Sequence, residues 1–540
     1  MKKFKVLLSL ILIATLISGC GQVSEEFGTG KERQNNSKHL VINEFKGESL
    51  KIASGSENAV FNDLIEEYAK KNKQNIEIDY IGSLDQMNII RDPNTDYDAV
   101  WPASTIWLNM ANDKKIVKYD EITSISPVVF GIKESKAKEL GFYGKEVSTK
   151  DILNAIKSGN LKFTMTSATQ SNSGASAYLA FLTALNSETI TSEDLDKPEL
   201  KSEIISLLSG VERSSGSSNF LVDLFINGNY DAMVNYEQLI IQTNEKLAEQ
   251  NQEPLYMIYP SDGLSISDST LAYLDHGDSE KEEMFLNFEE YILSDETQSK
   301  IEKTGKRNKN GTVLDENKEV FKKWGADLDK TLNTIRYPKS EVIEKALNLY
   351  QTEFKKPSFT VYVLDYSSSM RGQGYDQMVE ALGEVLIPEN ANKNLLLGNS
   401  EDITYIVPFS TEVIDIAEGR GNSTELQSLY DKVLEYNVSG ATSLYEATLE
   451  AVDLVDKNCN LATHQPSIIL LSDGAANGAM GINDLEEKLG EVNKDIPIFS
   501  IKFGSSDDEE IKKIAELTNA KVFDGRTDLI KAFKEVRGYN

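Results

Sequence analysis

Histidine and cysteine are scarce in this chain of 540 residues, with three of the first and two of the second. His39, His276 and His464 are scattered along the sequence. That spacing leaves little basis for histidine catalysis or a histidine-rich metal site. Positive charge is in deficit: 56 Lys and Arg stand against 86 Asp and Glu, for a formal net charge of -30. Such a surface repels nucleic acid and anionic lipid, so neither is an expected partner of the bulk surface. The acidity is diffuse and does not by itself mark a metal site. Beyond the N-terminus no segment nears the roughly 20 apolar residues of a spanning helix. Hydrophobic content of 40% and charged content of 26% are those of a soluble globular protein. The length exceeds what one ordinary core serves, so two or more domains are expected.

The chain starts with a leader. MKKFK is basic, VLLSLILIATLI is a short apolar run, and ISGC follows. Length and flanks fit a secretory signal peptide over residues 1–19 better than a membrane span. Ile17-Ser18-Gly19-Cys20 resembles a bacterial lipobox. The resemblance implies cleavage before Cys20 and a diacylglycerol on its sulfur. The protein would then be anchored to the cell membrane, on its extracytoplasmic face, without spanning it. With Cys20 so used, Cys459 alone can form neither an intramolecular disulfide nor a cysteine-based zinc site. Its place in AVDLVDKNCN reads as a partly buried, inert thiol.

Residues 20–48 are polar, with Gly, Ser and Asn and little periodicity, and read as a flexible tether. From residue 49 short apolar strands alternate with amphipathic helices: SLKIAS, then AVFNDLIEEYAKKNK, then IEIDYIG. That alternation predicts α/β domains with mostly parallel sheets covered on both faces. A first domain is expected over 49–345 and a linker over 346–356. A second α/β series runs over 357–540. Several of its strands (TVYVLD, SIILLSD) are apolar throughout, as in the middle of a parallel sheet.

In doubly wound sheets, sites form in the loops at the carboxyl ends of the strands. Three such ends stand out in the second domain. Asp365, Ser367 and Ser369 present three oxygens from one turn. Thr442, in GATSL, precedes a helix, where it would also serve as an ordinary N-cap. Asp473 ends the strand SIILLSDG. Two carboxylates and three hydroxyls suit a hard divalent cation, and Mg²⁺ accepts few carboxylates while keeping waters. DYSSS, GATSL and LLSDG, in this order, resemble the von Willebrand factor type A (VWA) domain and its metal-ion-dependent adhesion site. The family pattern Asp-x-Ser-x-Ser falls on Asp365, Ser367 and Ser369, its threonine on Thr442 and its last aspartate on Asp473. Ser368 stands where a glycine is common. The resemblance implies a site for Mg²⁺, or Mn²⁺ or Ca²⁺, with one open position that a carboxylate of a partner protein fills.

The first domain resembles an extracellular solute-binding protein of bacterial transport systems. The likeness rests on the lipobox, the order of elements, and the stretches FTMTSATQSNSGASAYLAFL, YDAMVNYEQLII and IYPSDGLSISDSTLAYL. It implies two lobes that close on a ligand. Thr169, Ser171, Ser173, Gly174 and Ser176 lie at a helix start, where hydroxyls and free N–H groups suit a polar or anionic ligand. Ser54, Ser56, Ser83, Asn235, Tyr236 and Glu237 are further candidates. Ser and Gly at such turns are equally ordinary capping chemistry.

Asp92, Asn94 and Asp96 begin like a calcium loop, but Tyr97 and Ala103 stand where Gly and Glu are required. No phosphate-cradling Gly-Lys-Ser/Thr loop and no Gly-x-Ser-x-Gly elbow occurs. No nucleophile–base pair emerges, so an enzyme is not expected. The sequence therefore predicts a two-lobed solute-binding-like domain followed by a doubly wound VWA domain in a lipid-anchored surface protein. Binding to a protein partner through the metal is the leading function. Recognition of a small polar or anionic solute in the first domain is the alternative.

Overall fold

The computed structural model describes residues 39–111, 115–393, 396–473, 475–492, 494–502, 508–526 and 528–539. The expected signal peptide, Cys20 and the tether as far as residue 38 lie outside the described residues, as does Gly474.

Among the described residues ten strands build the first domain: β1 (His39–Ile42), β2 (Ser49–Ser54), β3 (Asn75–Tyr80), β4 (Ala99–Trp101), β5 (Val117–Lys133), β6 (Phe163–Thr166), β7 (Val211–Ser215), β8 (Ala232–Tyr236), β9 (Leu255–Ile258) and β10 (Ile266–Leu274). Their order is β1-β3-β2-β4-β10-β5-β8-β6-β7, with β9 also on β5. Two lobes share this framework. β2 runs parallel to both β3 and β4 in one lobe. In the other, β6 runs parallel to β7 and β8. β5 belongs to both: its first part pairs with β10, and Val128–Ile132 pair with β8. β1 falls in the segment expected as tether. It pairs antiparallel with β3 and leaves Val41 exposed, as an edge strand does.

The segment read as a linker is largely helical. A helix over Ser340–Leu349 passes into a wider turn, Tyr350–Phe354, and Tyr350 is buried against the ring of Tyr178.

Among the described residues the second domain has six strands: β11 (Ser358–Asp365), β12 (Ile403–Phe409), β13 (Ala417–Arg420), β14 (Gln465–Ser472), β15 (Ile498–Lys502) and β16 (Val522–Asp524). The order β13-β12-β11-β14-β15-β16 is parallel except for β13, which forms the expected hairpin with β12. Every residue of β11 is buried. Successive side chains face opposite sides: Tyr362 and Leu364 join one apolar cluster, Val361 and Val363 the other. That two-sided burial is why the strand reads as continuously apolar. Strand order reverses at β11, with β12 on one side and β14 on the other, so a crevice opens at the carboxyl ends of β11 and β14.

Candidate functional site

The second-domain residues come together at this crevice. Asp365 is fully buried at the end of β11. One of its oxygens accepts from the Ser367 N–H at 2.7 Å, the other from the Ser472 hydroxyl at 2.6 Å. The Ser367 and Ser369 hydroxyls lie 2.9 Å apart, and Ser369 donates to Asp473 at 2.7 Å. A chain of hydrogen bonds thus joins both carboxylates through the serines. The Thr442 loop is tied in through its backbone: Ser368 N–H donates to the Gly440 carbonyl at 3.1 Å. Thr442 itself is buried, and its N–H donates to Asn477 Oδ1 at 2.7 Å. Gly440 has φ +87°, and a Cβ there would lie 2.6 Å from Thr411 Oγ1, so the loop needs glycine.

Burial raises the pKa of both carboxyls. For Asp365 the neighbouring Asp473 adds to the rise, while hydrogen bonds from Ser472 and Ser367 oppose it. For Asp473 the Ser369 bond opposes it. Two buried, mutually repelling carboxylates with hydroxyls at hand are a donor set that a hard divalent cation would neutralise. Among the described residues no group of three or more His, Cys, Asp or Glu could hold a metal ion. A site of two carboxylates and three hydroxyls lies outside that class.

The first-domain candidates gather where the lobes meet, and most are already hydrogen-bonded. Ser173 bonds Thr166 and Ser218 at 2.7 Å each, and Ser171 bonds Ser218 at 3.1 Å. Ser176 reaches Asn172 at 3.3 Å, and the Thr169 and Ser167 hydroxyls are 3.2 Å apart. A Cβ on Gly174 would sit 2.2 Å from the Thr166 carbonyl, so this helix packs hard on β6. Ser54 accepts from Asn58 at 3.2 Å, and Ser83 accepts from the Ala103 N–H at 3.1 Å. The Ser56 carbonyl accepts from Asn219 of the other lobe at 2.8 Å. Asn235 donates to the Ser218 carbonyl at 2.9 Å, and the Tyr236 hydroxyl accepts from Asn172 at 2.9 Å. Glu237 is fully buried and grips Arg307 through two 2.8 Å bonds.

A model of the bacterial extracellular solute-binding protein family matches residues 50–307, and a model of the von Willebrand factor type A domain matches residues 361–534. The chain joins a solute-binding domain to a VWA domain. No curated protein matches it. Similar solved structures include the periplasmic binding protein AfuA from Actinobacillus pleuropneumoniae, at 14% identity and a TM-score of 0.42, covering 56% of this chain and 98% of that one. The ferric binding protein from Campylobacter jejuni has 13% identity and a TM-score of 0.42, covering 56% and 98%. The sulfate-binding protein SubI from Mycobacterium tuberculosis H37Rv has 16% identity and a TM-score of 0.39, covering 54% and 94%. These are likenesses of fold alone.

In the solute-binding domain, sequence reading passed over Glu57 and Lys306. Both are buried. Lys306 donates to Asn58 at 2.6 Å and sits 4.9 Å from the centre of the Phe61 ring. Glu57 has one buried oxygen, Oε1, with no hydrogen-bond partner among the described residues. Burial raises the Glu57 carboxyl, with Lys306 opposing the rise, and lowers the Lys306 ammonium to about 8. The available signal was Glu57 directly after Ser54-Gly55-Ser56, at a strand end.

The lowered ammonium has a consequence for stability. The unfolded lysine titrates near 10.5, the folded one near 8, so the unfolded chain holds more protons between those values. Stability therefore rises with pH across that window, by an amount on the order of 3 kcal/mol. Denaturant unfolding of Lys306→Met should lack this contribution. Lys355, also lowered to about 8, contributes equally to both chains. Equal pH slopes for wild type and variant would refute the assignment.

Proposed function

We propose that this chain is a lipid-anchored extracytoplasmic protein, tethered through Cys20, whose VWA domain binds a protein partner through a divalent cation. The observation that supports this is the hydrogen-bonded chain from Asp365 through Ser367 and Ser369 to Asp473 at the strand-order switch. Asp365, Ser367, Ser369, Thr442 and Asp473 would hold Mg²⁺, Mn²⁺ or Ca²⁺. The cation would supply an open position for a carboxylate of the partner. The buried carboxylates set the charge, and Ser472 orients Asp365 from behind. Both matched families are binding domains, and the reading is of a binding protein rather than an enzyme. In a pull-down with the chain from Cys20 onward, the partner should be retained in Mg²⁺ and released by chelator. Retention unchanged by chelator would overturn the reading.

A second reading makes the solute-binding domain a receptor for a small polar ligand between its lobes. It is favoured by the unmatched oxygen of buried Glu57 close to Lys306. A thermal-shift screen of sugars, amino acids and anions tests it.

A further inference from the structure

The VWA domain ends where the two lobes of the solute-binding domain meet. Two sites on the second lobe each face both the first lobe and the VWA domain. The first is Gln170. A Cβ on Gly82 of the first lobe would lie 2.7 Å from the Gln170 carbonyl, which places the two backbones in contact. The Gln170 side chain turns to the VWA domain. Its Nε2 donates to the Lys534 carbonyl at 2.8 Å, near the end of the helix Leu529–Val536. Its carboxamide lies against Gly538, where a Cβ would be 1.7 Å from Oε1.

The second site is Asn219-Phe220, at the start of the helix Ser218–Asn227. Asn219 reaches across to the Ser56 carbonyl of the first lobe at 2.8 Å. The adjacent Phe220 ring packs edge-on against Tyr539, with centroids 5.5 Å apart. Tyr539 is buried, touches Phe499 and Phe523 of the VWA core, and receives Lys521 on its hydroxyl at 3.1 Å.

Charge agrees with this placement. Asp85 lies on the first lobe, in the helix that starts at Ser83. The protein packed around it raises its carboxyl, Lys531 and Lys534 pull it down, and Glu535 pushes it up. All three of those partners lie on the C-terminal helix of the VWA domain. Among the described residues the VWA domain also bonds the second lobe directly. Arg213 bonds Asp495 at 2.9 Å and the Asn519 carbonyl at 3.2 Å, and Tyr230 bonds Asp495 at 2.9 Å.

We infer that residues 529–539 are an intramolecular clasp: anchored on the second lobe, they hold the first lobe against it, so that opening the cleft and releasing the VWA C-terminus are one event. Any ligand that favours the closed cleft then favours the docked VWA C-terminus, and the reverse holds by linkage. The inference does not depend on which solute or partner is bound.

Hydrogen exchange on the full chain tests it with two variants. Gly538→Val places a branched side chain on Gln170. Gln170→Ala removes the contact without altering any VWA residue. Either should speed exchange in residues 56–61 and 82–91 of the first lobe by at least about fivefold, the equivalent of one net hydrogen bond. Residues 358–365 should stay protected. Faster exchange confined to 529–539, or none in either variant, overturns the clasp. If Gly538→Val exposes residues 358–365, Gln170→Ala decides alone.

Discussion

Asp365→Ala should weaken Mn²⁺ or Mg²⁺ binding by more than about a hundredfold, since even the outer partners of metal ligands are worth about 10- to 100-fold. Asp365 is the most buried carboxylate of the set, and both its oxygens are oriented, by the Ser367 N–H and the Ser472 hydroxyl. Removing it leaves one carboxylate, Asp473, with hydroxyls whose dipoles cannot neutralise a divalent charge. The metal-free fold should not suffer in proportion. Burial and the neighbouring Asp473 already disfavour the Asp365 charge when no cation is present, so its loss also removes a penalty. The expected pair of results is therefore lost binding in a calorimetric titration and a melting temperature, in chelator, close to wild type. Equal Mn²⁺ affinity in the two proteins would sink the metal assignment. A variant that fails to fold even in chelator would mark Asp365 as a structural residue.

How much was legible depended on whether an interaction was local in sequence. Asp365, Ser367 and Ser369 lie in one turn, and Asp473 ends an apolar strand, so strand chemistry alone placed them at one sheet edge. The apolar run of β11 could be read because both faces of that strand are covered. β5 is different. VKYDEITSISPVVFGIK mixes charges, hydroxyls and apolar residues, because its first part is exposed or half-buried and its last part is buried. No single period describes such a strand. The contacts between domains were out of reach for another reason: Gln170 and Gly538 stand far apart in sequence and carry no motif. Glu57, Lys306 and the Glu237–Arg307 pair were equally hidden. A buried charge looks like a surface charge until its partner is known. The serine-rich loop was legible as a helix start, but its hydroxyls are largely taken up by one another and by Ser218.

Glu237→Ala should destabilise the first domain by about 3–5 kcal/mol, the cost of stranding a charge in a broken buried pair. Glu237 opens the helix Glu237–Glu249 directly after β8. Its carboxylate takes Arg307 Nε and Nη2, both at 2.8 Å, and accepts from the Tyr259 hydroxyl at 2.5 Å. Arg307 is 5% exposed, too little for water to replace the lost carboxylate. Its backbone pairs with Ile125 in both directions at 3.0 Å, where β5 passes from one lobe toward the other. The pair therefore pins the strand that the two lobes share. Since domains of this kind are stable by about 5–15 kcal/mol, the loss would be a large share of the total. Glu237→Gln keeps one acceptor and should cost less. Replacing both partners, as in Glu237→Leu with Arg307→Met, should recover much of the loss, because an apolar pair strands no charge. Denaturant midpoints of the three variants give the order directly. A loss below about 1 kcal/mol for Glu237→Ala would contradict a buried pair and return Glu237 to the ligand-binding candidates. In that role its removal would lower solute affinity and leave the midpoint unchanged.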